Sequence, residues 1–254
     1  MTEIRQRWRL LVRRDAPAQA LVHREVCELW EASLEAAAIP IARTEGERPR
    51  PRITFAVPVP AGMLAEREPI EIGLLERWPV ARLRAALEGG VPAGHAIVDL
   101  HDVWIGAPSI AGQVVGADYR FAVDAETDEM VRATRSLLDA SRLPRERARG
   151  DRVRTYDLRP LLVGIAVEGA GVEERGRPAS PTASCPLVRA RLRHDPELGV
   201  GRPDELVAAL GEAVGRVILA GVITRERLWL AEDTMGADVP PPLSSVARDS
   251  PARI

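Results

Sequence analysis

The chain reads as an α+β protein made of tandem ferredoxin-like units, each in the order β-α-β-β-α-β, with mainly antiparallel sheets. Three observations predict this. Several short segments alternate apolar and polar residues with a period of two, the pattern of a half-buried strand. Between them lie stretches whose apolar residues recur every three or four positions, one stripe of a helix. The succession strand, helix, strand, strand, helix, strand can also be read twice along the 254 residues, although no residue-level repeat accompanies it.

Residues 4–13 open the chain as a strand, with Ile4, Gln6, Trp8, Leu10 and Val12 on one face. Asp15 offers an N-cap and Pro17 fits a first turn, so a helix is expected from there to about Ala38, stopped by Ile39-Pro40. Its stripe is Val22, Val26, Leu29, Trp30, Ser33, Leu34 and Ala37. Strands follow at 52–57 and 68–75, then a short helix opened by Pro79 and closed by Gly89-Gly90, then a strand at 95–105. The order begins again with a strand at 113–123 and a helix capped by Asp124 through Met130, Thr134, Leu137 and Leu138. A charged loop, RLPRERARGDR, leads to strands at 152–158 and 161–168. A Gly/Pro/Ser loop spans 169–185, and a strand follows at 186–193. A helix begins at Pro203-Asp204, and the last strand is 225–231. The expected organisation is an N-terminal unit, 1–108, a C-terminal unit, 109–232, and a disordered tail, 233–254, with the junction near 106–113.

Composition narrows the function classes. A net charge of −2 argues against a uniformly basic nucleic-acid binder and leaves room for a local patch. All basic residues other than histidine are Arg, whose planar fork suits phosphate, although a GC-rich genome is the simpler account of the bias. Cys27 and Cys185 are expected to be reduced thiols of a cytoplasmic protein. No signal peptide is visible, and no apolar run approaches the roughly 20 residues that cross a bilayer, so no membrane partner is expected.

Four places could carry chemistry. His23, Glu25 and Cys27 cluster on the first helix, with His23 and Cys27 four apart, but a metal would need further ligands. There is no CxxC or HExxH and no three-cysteine spacing for an iron–sulfur cluster, so neither a metal nor a cofactor is expected on this chain. Arg48, Arg50 and Arg52 alternate with Pro49 and Pro51, which keep the chain extended and can line a groove with guanidinium groups. That groove would hold phosphate or carboxylate; the alternative is a solvated loop with Glu45 and Glu47 as partners. Asp157 and Arg159 share a strand face, either as an ion pair fixing register or as a second anion clamp facing Arg50. Trp8, Trp30 and Trp104 fall on apolar faces and are assigned to the core; Trp78 and Trp229 belong to the core or to partner contacts.

Four stretches together resemble one family: Leu21-Val22-His23-Arg24-Glu25, GERPRPRITFAVPVPAGMLAEREPIEI (46–72), Tyr156 to Leu162, and Gly201 to Leu206 with the closing Arg225 to Leu230. In order and spacing the set is similar to the radical SAM-associated family DUF2344. The sequence departs from the family pattern at Val22, Glu25 and Arg50, where Ser, Asp and His are usual. The resemblance implies a radical SAM protein as partner and no established activity. Two functions are compatible with these residues. One is a non-catalytic accessory or substrate-recognition protein for a radical SAM enzyme, with RNA or a ribonucleoprotein in the Arg-lined groove formed by Arg48, Arg50, Arg52, Asp157 and Arg159. The other is a free-standing enzyme on RNA or a small phosphorylated substrate, with His23 and Glu25 as acid and base.

Overall fold

In the computed structural model, which describes residues 3–149, 152–168 and 185–234, the chain divides into two units, Met1–Ala117 with Val222–Glu232, and Asp118–Gly221 with Asp233–Ile254. In chain order the first unit holds β1 (Gln6–Arg14), α1 (His23–Ala36), β2 (Ile53–Phe55), β3 (Leu64–Leu74), α2 (Val80–Glu88) and β4 (His95–Val103). Next come β5 (Val114–Ala122), within which the division falls, α3 (Thr127–Asp139), β6 (Pro144–Arg149) and β7 (Arg152–Asp157). They are followed by β8 (Leu162–Glu168), β9 (Leu187–Asp195), β10 (Gly199–Val200) and α4 (Pro203–Val214). The last strand, β11 (Thr224–Leu230), and a single turn, α5 (Ala231–Thr234), end the described chain. The expected loop at 169–185, apart from Cys185, and the expected tail beyond Thr234 lie outside the described residues. The protein is a mixed α+β structure whose sheets are mostly antiparallel.

In the first unit β1 is central. It pairs antiparallel with β3 (Trp8↔Ile72, Leu10↔Ile70) and with β4 (Leu10↔Leu100). β2 adds to β3 through Ile53↔Ile72 and Phe55↔Ile70. The period-two pattern sends Trp8, Leu10 and Val12 inward, where they meet Ile70, Ile72 and Leu74. Val26, Trp30 and Leu34 of α1 cover them, four residues apart on one helical face. The stripe is narrower than expected: Val22 and Leu29 are exposed.

Helix α1 also begins later than Asp15. The buried Arg14 guanidinium donates to the carbonyls of Ala18, Gln19 and Leu21 and holds this stretch in a tight wrap around it, ahead of the helix. Only a short 3-10 turn, Ala16–Ala18, forms there. Gly94 closes against it with φ +74°, and a Cβ at Gly94 would lie 2.5 Å from the Ala18 nitrogen, so no larger residue fits. β4 stops at Val103, one residue before Trp104.

In the second unit β9 pairs antiparallel with β8 (Ile165↔Ala190) and, at its far end, with β10; β5 lies on its other side. The stretch expected to be a charged loop is instead a strand, β6, in an antiparallel hairpin with β7. Its arginines have partners on α4: Arg147 donates to Glu205 at 2.8–3.0 Å, and Arg145 to Glu212 at 2.9 Å. Helix α3 begins after Glu126 and not at Asp124, whose carboxylate accepts the Leu219 N–H.

β11 was expected to close the C-terminal unit, 109–232. In the structure Val222–Glu232 groups with the first unit, and Thr224 and Arg225 run parallel to Leu64 and Ala65 of β3. The reason lies in Arg225: its side chain is 2% exposed and its guanidinium is paired with Glu68 of β3.

Candidate functional site: an arginine loop, a histidine cavity and a tryptophan cleft

The loop from 42 to 52 is a narrow ribbon. Arg43 bridges Pro51, the Thr44 N–H donates to the Arg50 carbonyl at 2.8 Å, and the Arg52 N–H donates to Ala42 at 2.7 Å. The Thr44 hydroxyl accepts the Arg50 N–H at 3.0 Å. This pins an extended backbone that Pro49 and Pro51 already restrict. Arg48, Arg50 and Arg52 are all exposed. The Arg50 guanidinium reaches Glu31 of α1 only at 3.6 Å and stays 66% exposed. The three arginines sit on one stiff, outward-facing segment.

Arg159 is placed differently. It donates to the carbonyls of Leu138 (2.8 Å), Ala140 (3.1 Å) and Leu162 (3.1 Å). Its guanidinium closes the end of α3, so the expected anion clamp does not form at this residue. Asp157 accepts the N–H groups of Leu143 (2.7 Å) and Arg159 (3.0 Å). Burial raises its carboxyl, but these backbone bonds and Arg142 outweigh it and hold the pKa below the ordinary value. It is a turn-forming carboxylate.

A cavity lies between α1 and the sheet of the first unit, lined by His23, His95, Arg14, Glu68, Trp30 and Phe55 among others. His23 stands edge-on to Phe55 at 5.1 Å, and His95 edge-on to Trp30 at 5.8 Å. Burial depresses both imidazoles, and Arg14 adds to the effect at each. Cys27 lies 3.5 Å from His23 Nε2; burial pushes its thiol up, so it is no activated nucleophile. Glu25 does not enter the cavity. It is exposed, and its carboxylate accepts the Val22 N–H at 2.8 Å. Val22 has no side-chain acceptor, so Glu25 supplies the only side-chain half of this helix cap. The expected pairing of His23 with Glu25 as acid and base is therefore not present. Among the described residues no three His, Cys, Asp or Glu side chains gather to hold a metal ion.

The third feature is one that sequence reasoning misplaces. Trp104, assigned to the core from its apolar neighbours, is 78% exposed, whereas Trp8, Trp30, Trp78 and Trp229 are buried. It lies just past the end of β4, where period-two reasoning no longer applies, and it borders an open cleft of about 230 Å³ with Arg5, Gln6, Arg77 and Asp102. A signal was available in the sequence: Gly106-Ala-Pro directly after Trp104-Ile marks a turn.

A family model described as "Uncharacterized protein conserved in bacteria (DUF2344)" matches residues 7–189. The chain belongs to the DUF2344 family. The part matched to DUF2344 contains the arginine loop, His23, Trp104 and Arg159, and ends before Arg225. No curated protein matches. Among solved structures, a Cbf5-Nop10-Gar1 complex contains a chain 11% identical with a TM-score of 0.45, covering 86% of this DUF2344 chain and 48% of that one. An archaeal box H/ACA sRNP Nop10-Cbf5 complex gives 11% identity and a TM-score of 0.40, with coverage of 86% and 47%. The chain thus spans about half the length of the solved chains it matches. Among the described residues no helix is long and apolar enough to cross a membrane.

Proposed function

We propose that this chain is a non-catalytic, cytoplasmic accessory or substrate-recognition protein for a radical SAM enzyme, and that it holds RNA or a ribonucleoprotein through Arg48, Arg50 and Arg52. The radical SAM partner follows from the family resemblance. The observation that carries the RNA reading is the exposure of three arginines on a backbone already fixed by its own hydrogen bonds. Elsewhere Arg9, Arg191 and Arg225 are buried against Glu71, Asp118 and Glu68, where they serve the fold. A preorganised loop loses little entropy on gripping phosphate, and a local patch suffices even at a net charge of −2. No cofactor is assigned to this chain. We further read the first unit as ferredoxin-like, since β4, β1, β3 and β2 lie in that order, each antiparallel to the next, with β11 added parallel to one end of β3. The second repeats the chain order strand, helix, strand, strand, helix as β5, α3, β8, β9 and α4, with the β6–β7 hairpin and the two-residue β10 inserted.

The triple variant Arg48→Glu/Arg50→Glu/Arg52→Glu tests this. Its affinity for single-stranded RNA should fall, and the slope of log K against log salt should flatten by about 2, roughly 0.7 for each phosphate no longer neutralised. Capture of the radical SAM partner's RNA substrate should fall in parallel. Equal affinity and equal slope would reduce the arginines to a solvated loop. A second reading, an enzyme on RNA or a small phosphorylated substrate, has one observation in its favour: two imidazoles kept neutral in one cavity. Under it, purified protein should convert RNA to a product detectable by mass, and His23→Gln should abolish the conversion.

A further inference from the structure

The Trp104 cleft combines three properties. First, the indole is held in place. Its six-membered ring lies over Gly106, where an added Cβ would be 2.6 Å from Cζ2, so only glycine lets the ring lie there. The turn that carries it is closed by the Ala107 N–H donating to the Trp104 carbonyl at 2.9 Å. The Arg7 guanidinium fastens the next two residues, donating to the carbonyls of Ala107 (2.6 Å) and Pro108 (2.9 Å). Second, the ring so held is still 78% exposed, an unusual state for the largest apolar side chain. Third, its surroundings are cationic and polar. Arg5 and Arg77 line the cleft with Asp102, whose carboxylate accepts from Gln6 at 2.9 Å. Arg5 is 63% exposed and meets the exposed Glu3 only at 3.5 Å.

We propose that this cleft is a stacking site for an unpaired nucleobase of single-stranded RNA, with Trp104 taking the base and Arg5 and Arg77 the adjoining phosphates. The inference rests on the reading that the chain handles RNA, and uses residues separate from the arginine loop. A fixed aromatic face beside guanidinium groups is the arrangement by which proteins bind single strands without reading sequence. Charge selects the occupant: the cleft lining carries two arginines and one carboxylate, which complements a phosphodiester. A protein partner would call for a broad apolar surround, whereas here Ile105, at 47% exposed, is the one large exposed aliphatic lining the cleft.

The experiment uses the full chain and a labelled single-stranded oligouridylate of about eight residues, within the roughly 4–16 that such sites span. Trp104→Ala should weaken binding about 5- to 150-fold, the equivalent of one base stack removed. Trp104→Phe should restore most of it, and Arg5→Glu/Arg77→Glu should lower affinity and the salt slope. In the parent chain, RNA should quench the long-wavelength tryptophan emission, which comes from the one exposed indole, and this quench should be absent in Trp104→Phe. Unchanged affinity in Trp104→Ala overturns the proposal. So does an equal affinity and equal quench with polyglutamate, which would assign the cleft to an acidic protein. Loss of binding in the Arg48/Arg50/Arg52 variant but not in Trp104→Ala removes this site and leaves the loop. The reverse pattern removes the loop and leaves this site, and no binding by the parent chain overturns both.

Discussion

Arg225 and Glu68 meet in the interior, with 2% and 10% of their side chains exposed and the guanidinium also donating to the Val57 carbonyl at 2.8 Å. Such a pair contributes little net stability, because desolvation offsets the attraction, but removing one member strands the other. Arg225→Met should therefore destabilise the protein by about 3–5 kcal/mol in urea denaturation, and adding Glu68→Gln should recover part of that loss. A single variant as stable as the parent would show that Glu68 finds water or another donor. The two cavity histidines give a second expectation at this scale. Burial, helped by Arg14, holds His23 and His95 below the ordinary 6.5; at His95 the Ala93 carbonyl and Asp15 pull the other way without reversing it. As pH falls below 6.5 the unfolded chain takes up protons that the folded chain refuses. Stability is thus full above that value, declines as pH drops toward the depressed folded values, and levels off beneath them. Comparing urea midpoints at about pH 7 and about pH 5 isolates this window from Asp157 and Asp195, whose contributions disappear only below the ordinary 3.8. In His23→Gln/His95→Gln the decline should vanish; an undiminished decline would place its origin elsewhere.

At the scale of elements, arginine decides several boundaries. Arg14 gathers the carbonyls of Ala18, Gln19 and Leu21 just ahead of α1, and Arg159 closes α3. Arg145 and Arg147 turn a charged segment into a strand by facing α4 carboxylates, with Arg147 also over the Tyr156 ring at 4.8 Å. Arg159→Met should cost about 1–3 kcal/mol by leaving carbonyls of the last α3 turn without a donor. Amide exchange at that helix end should quicken, and RNA affinity should not change. A fall in RNA affinity with intact exchange protection would restore Arg159 to an anion-binding role.

At the scale of the whole chain, the last strand belongs to the first unit, so residues far apart in sequence meet within it; Glu68 and Arg225 stand 157 positions apart. Ending the chain after Gly221 should expose Glu68 and loosen β3. Hydrogen exchange would show it as lost protection in Leu64–Leu74; protection equal to that of the full chain would mean that β11 is an ornament to this sheet.

The sequence alone was enough for the placement of many regular elements, which rests on neighbours a few residues apart. Period two placed β1, β5 and β9, the three-and-four spacing placed Val26, Trp30 and Leu34, and Pro79 and Pro203 marked the starts of α2 and α4. It also exposed the alternation of proline and arginine at 48–52, since proline acts on its own residue and the one before it. The identity of a side chain's partner was not legible, near or far in sequence. An arginine carries the same side chain whether it ends bonded to carbonyls, like Arg14 and Arg159, paired in the interior, like Arg225, or exposed, like Arg50. Apolar neighbours alone do not separate Trp8, which is buried, from Trp104, which is exposed. Which state each adopts depends on what the rest of the chain brings within about 3 Å of it, and hydrogen-bond energy falls off too steeply with distance for local pattern to carry that information. Tertiary structure alone separated the arginines that hold the fold together from those left facing outward.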